Sequence, residues 1–376
     1  MAIEYVEIRD AQTEIIGIID TAISVIWRSV YFGVGDFEIY AKATPETIAM
    51  LQAENYVTRS DDLEVGIIES VAIEDDAQHG AMITASGRFA KSILDRRLIY
   101  NLSGSVNTPT ILRGKVETEV RRLVEENAIS CAFDSSRNIP VLALGELAGI
   151  PQRIVDKYGY ATQKQVSYQN LLAYTDALLE EYGLASMVIL DAAAHQLKYV
   201  VYAGTDRSND NAAGNEPIVF SKEFDNLTSS NYQFDATAEK NAALIGGEGE
   251  GLARFYSFIS DGQEGLQRRE MWVDAVSINR TYQSADGEEQ QYSEDEYRAM
   301  LDAEGEQNLQ QQKASELFES EIDIMNSQWR YNQHFALGDI VTTQNNDIGK
   351  YINVRLCEIL EVQDENGYAI EAKIKT

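Results

Sequence analysis

Histidine, cysteine, proline and basic charge are all in short supply in this 376-residue chain. Its two cysteines, Cys131 and Cys357, lie far apart with no C-x-x-C spacing, which excludes a disulfide framework and argues against a zinc site. His79, His195 and His334 each stand alone, so the commonest general base and metal ligand is almost missing. No cofactor, metal or catalytic residue is expected. No apolar run approaches the ~20 residues that span a bilayer, so no membrane span is expected. The opening residues M-A-I-E-Y-V-E-I-R-D carry acids where a signal peptide needs a basic stretch and an apolar core. We therefore expect a chain made in a cytoplasm and kept there unless it leaves within a larger assembly. Only 31 basic residues face 61 acidic ones, a net charge of −30, which disfavours nucleic-acid binding because that rests on Lys and Arg neutralising phosphates. The acids are spread along the chain, as on a solvated surface or on a wall past which nucleic acid slides without sticking.

Hydrophobic residues make up 44% of the chain and the mean hydropathy is −0.29, values of a soluble globular protein. The length exceeds one ordinary core and predicts two or three domains. The stretch Tyr199 to Asp274 sets the pattern, with short β-type runs separated by Gly, Asn, Asp and Pro. Earlier, residues 3–9 and Glu14–Asp20 alternate as strands, and Ser24 to Ala41 reads as a hairpin burying Trp27, Tyr31, Phe37 and Ile39. Thr44 and Pro45 predict the start of a short helix to Leu51. Leu63–Asp75 and Ala81–Gly87 form another strand pair, followed by a helical run with Phe89, Ile93 and Leu94 on one side. Val116, Val120, Leu123 and Val124 mark a helix face, and a second helix is expected from a Ser167 cap through Tyr182. Ala185–Asp191 and Gln196–Ala203 predict a hairpin with Pro217–Lys222 as its third strand. Further strands are expected at Ser320–Met325, Ile340–Thr343, Asn353–Val362 and Tyr368–Lys375. Ser293 and Glu296 form a capping box ahead of a Gln/Glu-rich helix.

None of the candidate sites meets its chemical requirements. G-G-E-G-E-G (Gly246–Gly251) lacks the Lys and Ser/Thr of a phosphate loop, and its carboxylates repel phosphate; close backbone approach to a strand or subunit explains it better. Asp206–Glu216 has oxygen ligands at alternate positions but not the Gly and Glu that a calcium loop requires, so a polar surface loop is expected. The basic cluster Arg88, Lys91, Arg96 and Arg97 is expected to pair with carboxylates. The acid pairs Glu180-Glu181, Glu288-Glu289 and Asp364-Glu365 are adjacent in sequence, whereas a glycosidase needs two carboxylates converging across a cleft.

Several runs, in order, resemble the siphophage tail-tip (baseplate) hub or tail-associated proteins, which are related to myophage baseplate hubs. They are W-R-S-V-Y-F-G-V-G-D-F-E-I-Y, G-I-I-E-S-V, S-G-R-F-A-K-S-I-L-D-R-R, Y-A-G-T-D-R-S, V-F-S-K-E-F-D-N-L, G-G-E-G-E-G, R-R-E-M-W-V-D-A and F-A-L-G-D-I-V. The resemblance implies a mainly β chain with α+β insertions: two tube-like antiparallel β-barrel domains plus an α/β domain. The expected boundaries are 1–105 for the first barrel, 185–222 and 318–376 for the second, split barrel, and 106–184 with 223–317 for the α/β domain. Three chains would form a ring that continues a sixfold tail tube and meets a threefold fibre or spike.

The implied partners are two further copies, a distal tail or tube protein, a tape measure protein and a central fibre or spike protein. DNA would pass without specific binding. The implied setting is the tail tip of a virion made in the host cytoplasm, with roles in host attachment and genome ejection. The chain ends soon after its last strand, so no fibre or peptidase domain is expected. The alternative is a phage-encoded carbohydrate-binding or polysaccharide-degrading protein using paired carboxylates.

Overall fold

Alternation of apolar and polar residues decides how the strands lie. In Ser24–Val30 every second residue is buried, and antiparallel pairing with Asp36–Lys42 sets Trp27 opposite Phe37 and Val25 opposite Ile39. Trp27, Tyr31, Phe37 and Ile39 are all buried, as the sequence predicts; full burial contributes roughly 1.5–3 kcal/mol for a side chain such as Phe37. The structure is a computed structural model that describes residues 3–76, 80–103, 106–155, 161–224, 226–283, 289–325, 327–347 and 349–375. It is mainly β.

The chain divides into two compact units, one of Met1–Asp156, Ala161–Ser230 and Glu319–Thr376, the other of Lys157–Tyr160 and Asn231–Phe318. In the first unit Gly80–Arg88 adds to Asp36–Lys42, and Ser70–Asp76 lies outside it as an edge. The strand Lys350–Asp364 carries the sheet onward. Its second half pairs with Ser24–Val30, its first half with Ile340–Asn345, and Gly367–Lys375 runs along it as a hairpin partner. The change of partner falls at a register shift between Leu356 and Glu358, where an extra residue bends a strand. N-terminal and C-terminal strands thus share one ten-stranded sheet, and the pairings described close no barrel.

Two apolar clusters serve this sheet. One gathers Trp27, Phe37, Ile39 and Phe89 with Val6, Ile8 and Val57, which come from a four-stranded sheet of Val6–Arg9, Ile15–Ile19, Tyr56–Thr58 and Val65–Ile67. The other gathers Tyr31, Phe220, Phe335, Val341, Leu356 and Ile359. A third core joins the helices Val116–Val124 and Leu171–Glu181 to Leu142, Val188, Leu197 and Tyr199.

Several local expectations need correction. The second helix is capped by Asn170, whose side chain accepts from the Ala173 amide, while Ser167 accepts from Asn107. The Ala185–Asp191/Gln196–Tyr202 hairpin takes Leu142–Leu144 as its parallel third strand, whereas Val219–Ser221 pairs with Ile340–Asn345. Helix Val116–Val124 continues into a wide turn over Glu125–Ile129, which apolar spacing does not reveal.

In the second unit, Ala242–Gly246 lies between antiparallel Tyr256–Ser260 and parallel Glu270–Asp274. One face of this sheet packs Ala243, Ile245 and Val273 against Tyr297 and Leu301 of helix Glu294–Gln311. The helix begins at the expected capping box, with Ser293 and Glu296 exchanging hydrogen bonds.

Candidate functional site

The residues singled out in the sequence do not converge. His195 sits in a hairpin turn at φ +51° beside Thr13 and Glu14, and His334 accepts the Arg330 amide. His79 and Glu288 lie outside the described residues. Among the described residues no three His, Cys, Asp or Glu side chains come together as a metal site. The Asp206–Glu216 loop turns inward on itself: Asp206 accepts from the amide and hydroxyl of Ser208, and Asn211 donates to the carbonyls of Ser208 and Asn215.

The basic cluster is consumed by pairing. Arg88 meets Glu69 at 2.9 Å and Asp95 at 3.1 Å, Lys91 meets Asp176 at 2.9 Å, and Arg96 meets Glu54 at 2.9 Å. Arg97 donates to the Arg137 carbonyl. In the glycine run, a Cβ on Gly247 would lie 2.6 Å from the Tyr297 hydroxyl and 2.9 Å from Leu301. The crowding at that glycine comes from side chains of helix Glu294–Gln311, not from the strand or subunit the sequence suggested. Glu181 pairs with Lys164, and Asp364 caps its own turn by accepting from the Asn366 amide.

A charged cluster that sequence spacing does not show lies in the first unit. Arg59, following Tyr56–Thr58, donates twice to Asp61 at 2.8 and 2.9 Å and twice to Glu361 at 3.1 Å. Tyr368 donates to Glu361 at 2.7 Å, and the guanidinium lies 5.3 Å from the Trp27 ring centre. Burial opposes the charge on Arg59, but the bonds to Asp61 and Glu361 outweigh it and its pKa is raised. Both Arg59 and Glu361 are buried, so breaking this pair would leave an uncompensated charge and cost about 3–5 kcal/mol.

Beside the cluster a cavity of about 440 Å³ is bordered by Asp62, Glu64, Tyr202 and Tyr331. Burial, with Asp62 nearby, pushes Glu64 up to about 8. Burial pushes Asp62 up to about 6, partly offset by the Glu64 amide, which donates to its carboxylate at 2.7 Å. Asp62 and Glu64 therefore share one turn and do not face each other across a cleft.

The remaining notable surface is apolar and unpaired. Ser70–Asp76 is an edge of the ten-stranded sheet with Val71 and Ile73 exposed, and Ile15–Ile19 edges the smaller sheet with Ile15, Ile16 and Ile18 exposed. Exposed apolar edges of this kind invite another chain.

The fold of this mainly β chain matches that of phage tail proteins. It superposes on the tail protein from Neisseria meningitidis MC58 with a TM-score of 0.53 and 13% identity, over 99% of this chain and 96% of that one. The 43 kDa tail protein of prophage MuSo2 from Shewanella oneidensis gives a TM-score of 0.52 and 13% identity, over 99% and 98%. No curated protein sequence matches the chain. The chain belongs to the Siphovirus ReqiPepy6 Gp37-like protein family, whose sequence profile matches residues 5–374.

Proposed function

We propose that this chain is a phage tail protein, a non-enzymatic hub at the distal end of the tail, three copies of which form a ring that joins a sixfold tube to a threefold fibre or spike. One observation supports this most: Lys350–Asp364 unites N-terminal and C-terminal strands in one sheet while each half keeps its own apolar cluster. Each chain then contributes two curved walls, residues 1–105 to one and 185–222 with 318–376 to the other, and three chains contribute six. Tube-like closure is completed on assembly. Neighbouring positions belong to a distal tail or tube protein, a tape measure protein and the fibre or spike. The net charge of −30 suits a path that DNA crosses without adhering, during genome ejection at the host surface.

Native mass measurement tests the ring. We expect a species of three times the 42.0 kDa chain mass. A chain that stays monomeric at high concentration and in tails rules the ring out. A second reading, a polysaccharide-degrading protein, draws only on the raised pKa of Glu64 beside a tyrosine-lined cavity, because Asp62 shares its turn and supplies no facing carboxylate. Turnover of cell-wall glycan that disappears in Glu64→Gln would favour it.

A further inference from the structure

The second unit contains the same five-residue turn twice. Glu250-Gly251-Leu252-Ala253-Arg254 and Glu264-Gly265-Leu266-Gln267-Arg268 both read E-G-L-x-R. Each makes a single tight turn with its glycine at positive φ, +54° and +59°, a conformation in which a side chain is strained. In each, the residue before the arginine donates its amide to the glutamate carbonyl, at 3.0 and 3.2 Å. The arginines then fold over the sheet face that helix Glu294–Gln311 does not cover. Arg254 lies 5.0 Å from the Trp272 ring centre and pairs with Asp274; Arg268 lies 4.8 Å from the Phe258 ring centre and pairs with Glu270 at 2.7 Å. The first turn precedes Tyr256–Ser260 and the second follows it, so the two flank that strand.

That face is apolar. Pairing aligns Phe258, Leu244 and Trp272 in one row across the three strands, with Tyr256 6.4 Å from Trp272. These four are 44–48% exposed, and Leu252 and Leu266 are fully exposed at the turn tips. A Cβ on Gly246 would collide with the Trp272 ring, so the glycine lets the indole lie down on the sheet. The fold holds these side chains in the open, with the guanidiniums already stacked and neutralised.

We propose that this face docks a different tail protein, one with an apolar contact surface and a basic rim. The six side chains expose area on the order of the ~800 Å² that one partner gives to a standard interface, and the depression among Leu244, Phe258 and Trp272 is shallow and open. A five-residue strand spans about 17 Å, and an occupant must reach the leucines at both ends of it. Charge excludes a polyanion, because both arginines on the face are paired with carboxylates. The rim carries the exposed acids Glu250, Asp261 and Glu264, which a partner surface bearing Lys or Arg would complement. Aromatic residues and arginine at the centre match the composition of interface cores.

Photo-cross-linking in assembled tails tests the proposal, with a benzophenone side chain replacing Leu252 or Leu266, and Asp295 on the helix as the control position. We expect both leucine positions, but not Asp295, to join one other tail protein at a site flanked by Lys or Arg. The double variant Leu252→Asp/Leu266→Asp should keep its circular dichroism and native mass while its incorporation into tails falls at least tenfold. Adducts to a second copy, to glycan or to lipid, an absence of adducts, or full incorporation of the double variant would each overturn the proposal. The outcome is separable from that of the ring: a trimer without cross-links sinks this inference alone, and a monomer that still cross-links to another tail protein sinks the ring alone.

Discussion

Glu64 differs from most acids of this chain in holding its proton near neutral pH, because its carboxyl is desolvated beside Asp62. An acid whose pKa rises on folding stays protonated in the native chain after the unfolded chain has lost that proton. Native stability is therefore lost as pH climbs through the interval between the two values, from about 4.5 to about 8 for Glu64. Asp62 adds a loss of the same sign that ends near 6. We expect the wild-type chain to melt at a lower temperature at pH 8.5 than at pH 5.5. Glu64→Gln should narrow that difference by roughly several degrees, a size expected when a few kcal/mol are at stake. An unchanged difference in paired thermal scans would contradict the burial of this carboxyl. Sequence spacing could not have found this site or its neighbour. Arg59 and Glu361 are 302 residues apart, and only the folded sheet brings them together.

Among the elements, the edge strand Ser70–Asp76 offers the clearest test. Val71 and Ile73 are exposed on a strand whose outer side has no pairing partner among the described residues. Lysine there should leave the free chain's melting temperature within about a degree, since exposed substitutions rarely change stability by more than ~0.5 kcal/mol. Placed on an edge used for subunit contact, the same charges should shift the native mass toward the monomer. An unshifted mass would place the contact elsewhere. Local order was readable in advance wherever it depends on neighbours in the chain: the alternation of Ser24–Val30, the Thr44-Pro45 helix start and the Ser293/Glu296 box. What depends on distant partners was not. Val219–Ser221 chooses Ile340–Asn345 over the nearby hairpin because Phe220 packs with Phe335 and Val341. Asn170 displaces Ser167 as cap because Ser167 is taken up with Asn107. The twin E-G-L-x-R turns, by contrast, were open to a search for short repeats.

At the scale of the whole molecule, 61 acids against 31 bases set the relation to nucleic acid. Duplex DNA should show no retention by the purified chain even at about 50 mM salt, where counterion release most favours cationic binders. Retention that weakens steeply with added salt would reveal a basic path and remove the rationale for a non-adhesive channel. The strand Lys350–Asp364 has a mechanical consequence as well. Because one uninterrupted length of backbone is bonded first to one set of neighbours and then, past its kink, to another, a pull along it loads many bonds in shear at once. A sheet built this way would carry load as one plate and would resist peeling open at a seam.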